Sequence, residues 1–185
     1  MSTLEEVFSL TAHDVRDLYN DFINPGQVNL LTAFGPGRDT VTHAEGINIT
    51  LDNGRIIKDF TGGIGVLNLG HNHPRILAVR RQFNADRRME VHKNYLSPAV
   101  ALLGKEVSNL FYGKLPVSYF CNSGAEAVEG AIKMAYQAHD GGRKLVACSD
   151  MAFHGKLIGA GSLTSSPEVS IEFPKVPGVV RFEYC

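Results

Sequence analysis

The sequence lacks an excess of either charge, because 18 lysines and arginines balance 19 aspartates and glutamates and leave a formal net charge of -1. Such a balance gives no electrostatic reason to expect a nucleic acid or an anionic membrane surface as a partner. The first residues, MSTLEEVFSL, also lack the basic and apolar regions of a signal peptide, and no apolar run is long enough to span a membrane. We therefore expect a cytoplasmic protein with neither nucleic-acid nor membrane partners.

The sequence is also poor in cysteine and in metal-ligand patterns. Its 3 cysteines include no Cys-x-x-Cys pair, and Cys121 and Cys148 each lie near the end of an apolar run. This placement predicts reduced, buried thiols rather than a disulfide framework. His71 and His73 have no third ligand at a suitable spacing, so we expect no metal site. The P-loop pattern of nucleoside triphosphate sites is absent as well.

What the sequence does contain is the composition of a soluble globular domain, with 185 residues, 44% of them apolar and 20% charged. Apolar periodicity and turn residues predict the elements of its first part. These are an amphipathic helix over 10–23, an irregular segment over 24–46, a β-hairpin over 46–60 that turns at Asp52-Asn53-Gly54, and helices over 74–89 and 97–113.

The stretch from residue 117 to residue 135 combines a strand pattern, a turn of small residues and a helix pattern. Residues 117–121 alternate in the manner of a buried strand, and apolar residues recur at helical spacing after residue 126. Ser123 and Glu126 form a capping-box pattern between them. In such a box the Ser123 hydroxyl accepts from the Glu126 N–H, and the Glu126 carboxylate accepts from the Ser123 N–H.

A helix start of this kind leaves the N–H groups of Gly124 and Ala125 without partners. Unpaired donors at the positive end of a helix dipole suit an anion, most often a phosphate. An ordinary capped helix start is the simpler interpretation of this turn when the turn is considered alone. A second loop, further along the chain, changes that balance.

A second strand is predicted at 144–148 and a third at 179–182. Strand, helix and strand predict a right-handed parallel crossover, in which the turn at 122–126 and the loop after the second strand lie at one sheet edge. That loop carries Phe153 and His154. A phenyl ring and an imidazole beside an anion site predict a floor for a flat aromatic ligand.

Three segments in order, TGGIGVLNLGHNHPRI, NSGAEAVEGAIKMA and CSDMAFHGKLIGAGSLTSSP, resemble the class III aminotransferases, and the similarity covers roughly residues 43 to 185. These enzymes depend on pyridoxal 5′-phosphate and have the fold type I architecture. The resemblance implies that the N–H groups around Ser123, Gly124 and Ala125 hold the cofactor phosphate. It also implies that Phe153 stacks on the pyridine ring, with His154 beside it.

The implied fold class is α/β, the N-terminal part of a fold type I transferase. A helix and β-hairpin segment is expected over 1–59. The first, incomplete part of the large cofactor-binding domain, a mostly parallel sheet with helices, is expected over 60–185. The implied reaction moves an amino group between an amine and a keto acid or aldehyde.

The resemblance also indicates the class of amine. Relatives that act on amino acids such as ornithine usually carry an arginine where this sequence has Lys156, and a lysine cannot form the bidentate fork that grips an α-carboxylate. Lysine at this position resembles relatives that act on diamines such as putrescine. Ile64 and Phe34 fall on the substrate side in the family and are apolar, which suits a diamine, an ω-amine or an acyl-chain substrate.

Family members are much longer, and the lysine that forms the Schiff base lies beyond the matching segments. No lysine of this sequence has a matching context, so we expect a truncated chain or fragment that is inactive alone. We expect it to associate, as a homodimer or with a complementary C-terminal half, because a cut through the sheet uncovers apolar faces and a strand edge. Two other functions stay open: a non-catalytic protein that binds pyridoxal phosphate or phosphate, and a racemase or aminomutase of the same fold.

Overall fold

The computed structural model describes residues 3–90, 94–140, 142–165 and 175–184. Its backbone forms two compact units, residues 1–91 and residues 92–185. Both units contain helices and strands, as expected for an α/β protein. The domain boundary predicted after residue 59 stays a prediction. Among the described helices, none combines the length and the apolar character that crossing a membrane requires.

The first unit contains a three-stranded antiparallel sheet with helices before and after it. Its elements are α1 (Leu4–Ser9), α2 (Ala12–Phe22), α3 (Pro25–Phe34), β1 (Val41–Glu45), β2 (Asn48–Leu51), β3 (Ile56–Lys58), α4 (Gly62–Gly65) and α5 (Pro74–Ala85). Strand β2 pairs with β1 on one side and with β3 on the other. The predicted hairpin is confirmed, since Asp52-Asn53-Gly54 connects β2 to β3.

Helix α3 occupies a segment that the sequence predicted to be irregular. The Asn24 side chain accepts hydrogen bonds from the N–H groups of Gly26 and Gln27, at 2.9 and 3.3 Å, and Pro25 occupies the first turn. A side-chain cap and a proline in the first turn both favour a helix start. Asn24-Pro25-Gly26 therefore ends one helix and begins the next at once. Val28 of α3 is buried in the small core of this unit.

An aspartate holds the turn after β3. The Asp59 carboxylate accepts hydrogen bonds from the Thr61 hydroxyl, at 2.8 Å, and from the N–H groups of Thr61 and Gly62. It also lies 2.8 Å from Nε2 of His71. These contacts, the Thr61 hydroxyl first and His71 second, lower the pKa of Asp59 to about 2. Within the same turn Ile64 has a φ of 63°, a left-handed conformation that costs energy for a β-branched side chain.

The second unit is built on a pair of parallel strands. Its elements are α6 (Pro98–Leu110), α7 (Gly124–Ala138), β4 (Val146–Ser149), α8 (Ile158–Leu163) and β5 (Val179–Phe182). Strands β4 and β5 are parallel, with Cys148 paired to Arg181. The strands predicted at 144–148 and 179–182 are therefore confirmed, with β4 beginning at Val146 rather than Lys144.

The prediction of a strand at 117–121 is wrong, because this segment lies outside the strands of the described structure. Val117 is 88% exposed, and Cys121 is exposed rather than buried. A strand is held by hydrogen bonds to a neighbouring strand, and alternation in a sequence does not reveal whether that neighbour is present. Cys148, on β4, is buried as predicted.

Few apolar side chains are buried in the described part of the chain. The buried ones are Val28, Leu51, Cys148, Ala160 and Leu163. Helices α5, α6 and α7 bury none of their residues, although α6 and α7 carry an apolar stripe along one side. Apolar faces are therefore left in contact with solvent.

Candidate functional site

Helix α7 begins at Gly124, directly after the turn of small residues. The Ser123 backbone is extended, and the Ser123 Oγ accepts a hydrogen bond from the Glu126 N–H at 3.2 Å, which confirms one half of the predicted capping box. The other half is wrong, because the Glu126 carboxylate accepts from the Asn122 N–H, at 2.6 Å, instead of the Ser123 N–H. A carboxylate that reaches one residue further back leaves the Ser123 N–H open.

Three consecutive N–H groups, those of Ser123, Gly124 and Ala125, form what we call the N–H cup. Within the described residues none of the three donates a hydrogen bond. Apart from its chain neighbours and the backbone of its own helix, a Cβ added to Gly124 would meet no atom within 4 Å, so the space beside it is open. The donors lie at the positive end of a helix of 15 residues, an arrangement that favours an anion. The cup can therefore hold a phosphate group.

The loop after β4, residues 150–156, packs directly against this cup, and we call it the floor loop. Gly155, at a φ of 124°, lies so close to Ala125 that a Cβ on residue 155 would sit 2.6 Å from the Ala125 Cβ and 3.0 Å from its Cα. Only glycine fits such a contact at such a φ. The structure thus brings together the two segments that the sequence placed at one sheet edge, although the strand before the first of them is not formed.

The floor loop carries three of the predicted site residues. Phe153 is 64% exposed, so its ring is accessible to a ligand. His154 is half-buried, and its backbone N–H donates to the Thr164 Oγ1 at 2.9 Å. Lys156 is exposed at the end of the loop. An aromatic face and a cation beside the N–H cup suit an aromatic ring that bears an anionic group.

Thr164 is a site residue that sequence reasoning missed. Its side chain is buried; the hydroxyl accepts from the His154 N–H and donates to the Gly155 carbonyl at 2.9 Å. It therefore fixes the backbone of the floor loop from the inside. The sequence gives no indication that Thr164 bonds the backbone of the floor loop. Its partners depend on the way the chain folds back through α8.

The two remaining predicted residues lie in the first unit. Ile64 is 93% exposed, and Phe34, at the end of α3, is exposed as well. Their predicted place on the substrate side stays a prediction. Exposed apolar side chains of this size are available for contact with an alkyl group or with another protein surface.

Comparison with known families identifies the family of this chain. The sequence model of the aminotransferase class-III family matches residues 36–185. The chain belongs to the class III aminotransferases. The resemblance carried by the three motifs is therefore confirmed, and pyridoxal phosphate is the cofactor that class III aminotransferases use.

Solved transaminase structures share the fold of this class III chain. The ornithine aminotransferase of Toxoplasma gondii ME49 is 20% identical, with a TM-score of 0.78, and the match covers 100% of this chain and 44% of that one. The taurine:2-oxoglutarate aminotransferase of Bifidobacterium kashiwanohense, solved with PLP and glutamate, is 24% identical, with a TM-score of 0.73. The match covers 95% of this chain and 38% of that one. The (S)-enantioselective omega-transaminase of Thermomicrobium roseum is 26% identical, with a TM-score of 0.74, and the match covers 84% of this chain and 36% of that one.

The class III chain spans about two fifths of the length of these three enzymes. The expected fold, the N-terminal part of a pyridoxal phosphate-dependent transaminase, is confirmed by these matches.

Proposed function

We propose that this chain supplies the part of an aminotransferase that binds the phosphate and the ring of the cofactor. The observation that carries the proposal is the contact of Gly155 with Ala125, which places the floor loop beside the N–H cup. Pyridoxal 5′-phosphate has a phosphate group joined to a flat pyridine ring, and these two neighbouring features fit its two parts. The match of residues 36–185 to the class III family supports the same reaction, the transfer of an amino group between an amine and a keto acid or aldehyde.

Each site residue has its own task in this proposal. The N–H groups of Ser123, Gly124 and Ala125 donate hydrogen bonds to phosphate oxygens, and the dipole of α7 adds a favourable interaction with their charge. Phe153 offers its exposed ring to the pyridine ring, and His154 adjoins it in the chain. The bound cofactor supplies an electron sink for the chemistry of amino transfer. The chain's own residues bind it and fix its orientation.

The proposed substrate is a diamine, an ω-amine or an amine with an acyl chain. Lys156 is a compact point charge without the planar fork of an arginine, so it does not select an α-carboxylate. Ile64 and Phe34 are apolar and exposed, and they are proposed to line the side of the site that receives an alkyl group.

Transamination also needs a lysine that anchors the cofactor and moves the substrate proton. We propose that a complementary C-terminal half supplies this lysine, because no lysine of the chain has a matching sequence context. The chain alone then binds the cofactor without catalysing transfer, and works in the cytoplasm as a homodimer or in complex with that half. The exposed apolar faces of α6 and α7 support such association.

Two soluble probes and one assay test the proposal. Inorganic phosphate tests the N–H cup alone. Pyridoxine 5′-phosphate tests the cup and the floor loop together, and it has no aldehyde that could react with surface lysines. By calorimetry we expect the chain to bind both probes, and to bind the pyridoxine compound more tightly.

The assay measures transfer from putrescine to a keto acid with added pyridoxal phosphate. We expect transfer only when the C-terminal half of a homologous class III enzyme is added. Failure to bind either probe would contradict the proposal. Binding of both probes without transfer in the presence of that half would favour a non-catalytic binding protein instead.

A further inference from the structure

Helix α8 is an intrinsically weak helix that is nevertheless the most buried element of the second unit. It has six residues, IGAGSL, two of them glycine. All of them except Ile158 are buried. Six residues are too few for a helix to be stable by itself in water, and glycine lowers helix stability further. The helix must therefore be held by contacts from other elements.

An acidic side chain holds the beginning of α8. The Glu129 carboxylate, on α7, accepts a hydrogen bond from the Ala160 N–H at 2.8 Å. It also fills the space beside Gly159, where an added Cβ would lie 2.5 Å from one of its oxygens. A negative charge that accepts from a first-turn N–H stabilises the positive end of a helix.

A basic side chain holds the other end. The Arg181 guanidinium, on β5, donates from Nη2 to the carbonyl groups of Ser162 and Thr164, at 3.1 and 3.0 Å, and from Nη1 to the Ser165 Oγ. A positive charge on the last carbonyls of a helix is favourable for the same electrostatic reason. Helix α8 thus has a negative charge at its start and a positive charge at its end, each from a different element.

The end of α8 is also the part of the chain that fixes the floor loop. Thr164, the residue after the helix, bonds the backbone of His154 and Gly155. The Ser165 N–H donates to the Ala152 carbonyl at 2.8 Å. The backbone on both sides of Phe153 is therefore tied to the segment that Arg181 holds.

We propose that Glu129 and Arg181 are positioning residues that clamp α8 and thereby set the position of Phe153 in the floor loop beside the N–H cup. The inference rests on the proposed function, because it concerns how the cofactor ring is received. The cup itself is fixed locally, by the bonds of Ser123 and Glu126 within the α7 turn. Loss of the clamp therefore weakens ring binding and leaves phosphate binding intact.

Two variants break the Glu129 half of the clamp in different ways. Glu129→Ala removes the carboxylate. Gly159→Ala pushes the carboxylate aside, because the new Cβ collides with the carboxyl end of the Glu129 side chain, while alanine favours a helical backbone at this position. Glu129→Gln keeps an acceptor for the Ala160 N–H and is the conservative variant. Glu106→Ala removes an exposed carboxylate from α6 and is the matched control.

The readout is the affinity of the 185-residue chain for pyridoxine 5′-phosphate and, separately, for inorganic phosphate. We expect Glu129→Ala and Gly159→Ala to weaken pyridoxine phosphate binding by about tenfold, the size of one lost hydrogen bond to a charged group, with phosphate affinity unchanged. Glu129→Gln is expected to restore most of the loss, and Glu106→Ala to match the unchanged chain.

The possible results separate this inference from the proposed function. Equal loss of affinity for both probes would show a merely structural role for Glu129 and would overturn the inference, as would unchanged binding of both probes by Gly159→Ala. If Glu129→Ala does not fold, the affinities of Gly159→Ala for the two probes test the inference. Failure of the unchanged chain to bind either probe would refute the proposed function instead.

Discussion

Gly155 lies directly against Ala125, with only 2.6 Å between the Ala125 Cβ and the position that a Cβ of residue 155 would take. This contact joins the floor loop to the first turn of α7. Replacement of Gly155 by alanine forces the two segments apart and places a side chain at a φ of 124°. We expect Gly155→Ala to lower the free energy of unfolding by about 2–3 kcal/mol.

Urea unfolding followed by circular dichroism measures this loss. Gly104→Ala is the matched control, because Gly104 lies in α6 with no atom within 4 Å of an added Cβ. This control is expected to gain about 0.5–1 kcal/mol, since alanine is the better helix former. Equal stability of the two variants would contradict the contact between Gly155 and Ala125.

Gly124 offers a way to remove one donor of the N–H cup without disturbing its helix. Proline has no N–H and is tolerated at the first position of a helix, and the preceding Ser123 has the extended backbone (φ -151°, ψ 160°) that a following proline requires. We expect Gly124→Pro to weaken inorganic phosphate binding by about tenfold. Gly124→Ala keeps the donor and should bind phosphate as the unchanged chain does. Calorimetry measures the affinity of the unchanged chain and of both variants for phosphate. Equal affinities of the three proteins would contradict phosphate binding by the N–H cup.

Asp59 makes the first unit sensitive to acid. Its pKa in the folded chain, about 2, lies below the ordinary value of 3.8, so its stabilising effect is complete above about pH 4. The effect is lost as the pH falls from there toward 2. We expect Asp59→Asn to be less stable than the unchanged chain at pH 7, with a difference that narrows at pH 2 to 3.

Urea midpoints at several pH values measure that difference. Asp17→Asn, which alters a carboxylate that is 59% exposed, is the control and should leave the midpoint nearly unchanged at every pH. A constant gap between Asp59→Asn and the unchanged chain from pH 7 to pH 2 would show that the Asp59 charge is not what stabilises the turn.

Lys156 is expected to tune the choice of substrate. Lys156→Arg introduces a planar fork that can bind an α-carboxylate with two parallel hydrogen bonds. In the assembled enzyme we expect the ratio of kcat/KM for ornithine over putrescine to rise by about tenfold. Lys156→Gln, which has neither charge nor fork, should not raise this ratio. An unchanged ratio in Lys156→Arg would place the residue away from the substrate.

The exposed apolar side chains predict association in solution. Leu96 and Val117 are almost fully exposed, and helices α6 and α7 bury no residue. We expect the mass from sedimentation to rise with protein concentration, and the double variant Leu96→Ser, Val117→Ser to reduce that rise. A mass that equals one chain at every concentration would argue against the homodimer.

Local signals in the sequence were sufficient for the parts of the site that depend on neighbouring residues. The Ser123 cap of α7 involves atoms only three residues apart, and it was predictable for that reason. The Glu126 carboxylate was placed one residue wrong, because a glutamate reaches Asn122 as easily as Ser123. Helix α3 was missed because Asn24-Pro25-Gly26 is a signal for both the end and the start of a helix.

Contacts between residues that are far apart in the sequence could not be predicted from it. The alternation at 117–121 predicted a strand, but strand pairing depends on partners elsewhere in the chain. The bonds of Thr164 to His154 and Gly155, and of Glu129 to Ala160, likewise require knowledge of where α8 lies. The sequence predicted β4 and β5 as two separate apolar runs. It did not predict the register in which they pair, which the structure shows.

The pairing of β4 with β5 also has a consequence for the order of synthesis. The guanidinium that holds the end of α8 belongs to residue 181, and the backbone N–H of Tyr184 donates to Asp150, 34 positions earlier. The Ser123 cap of α7, in contrast, joins residues only three positions apart. The floor loop gains its bond from Tyr184 to Asp150 only after residue 184 has been synthesised, so the contacts that hold this loop are completed later in synthesis than the Ser123 cap of the N–H cup.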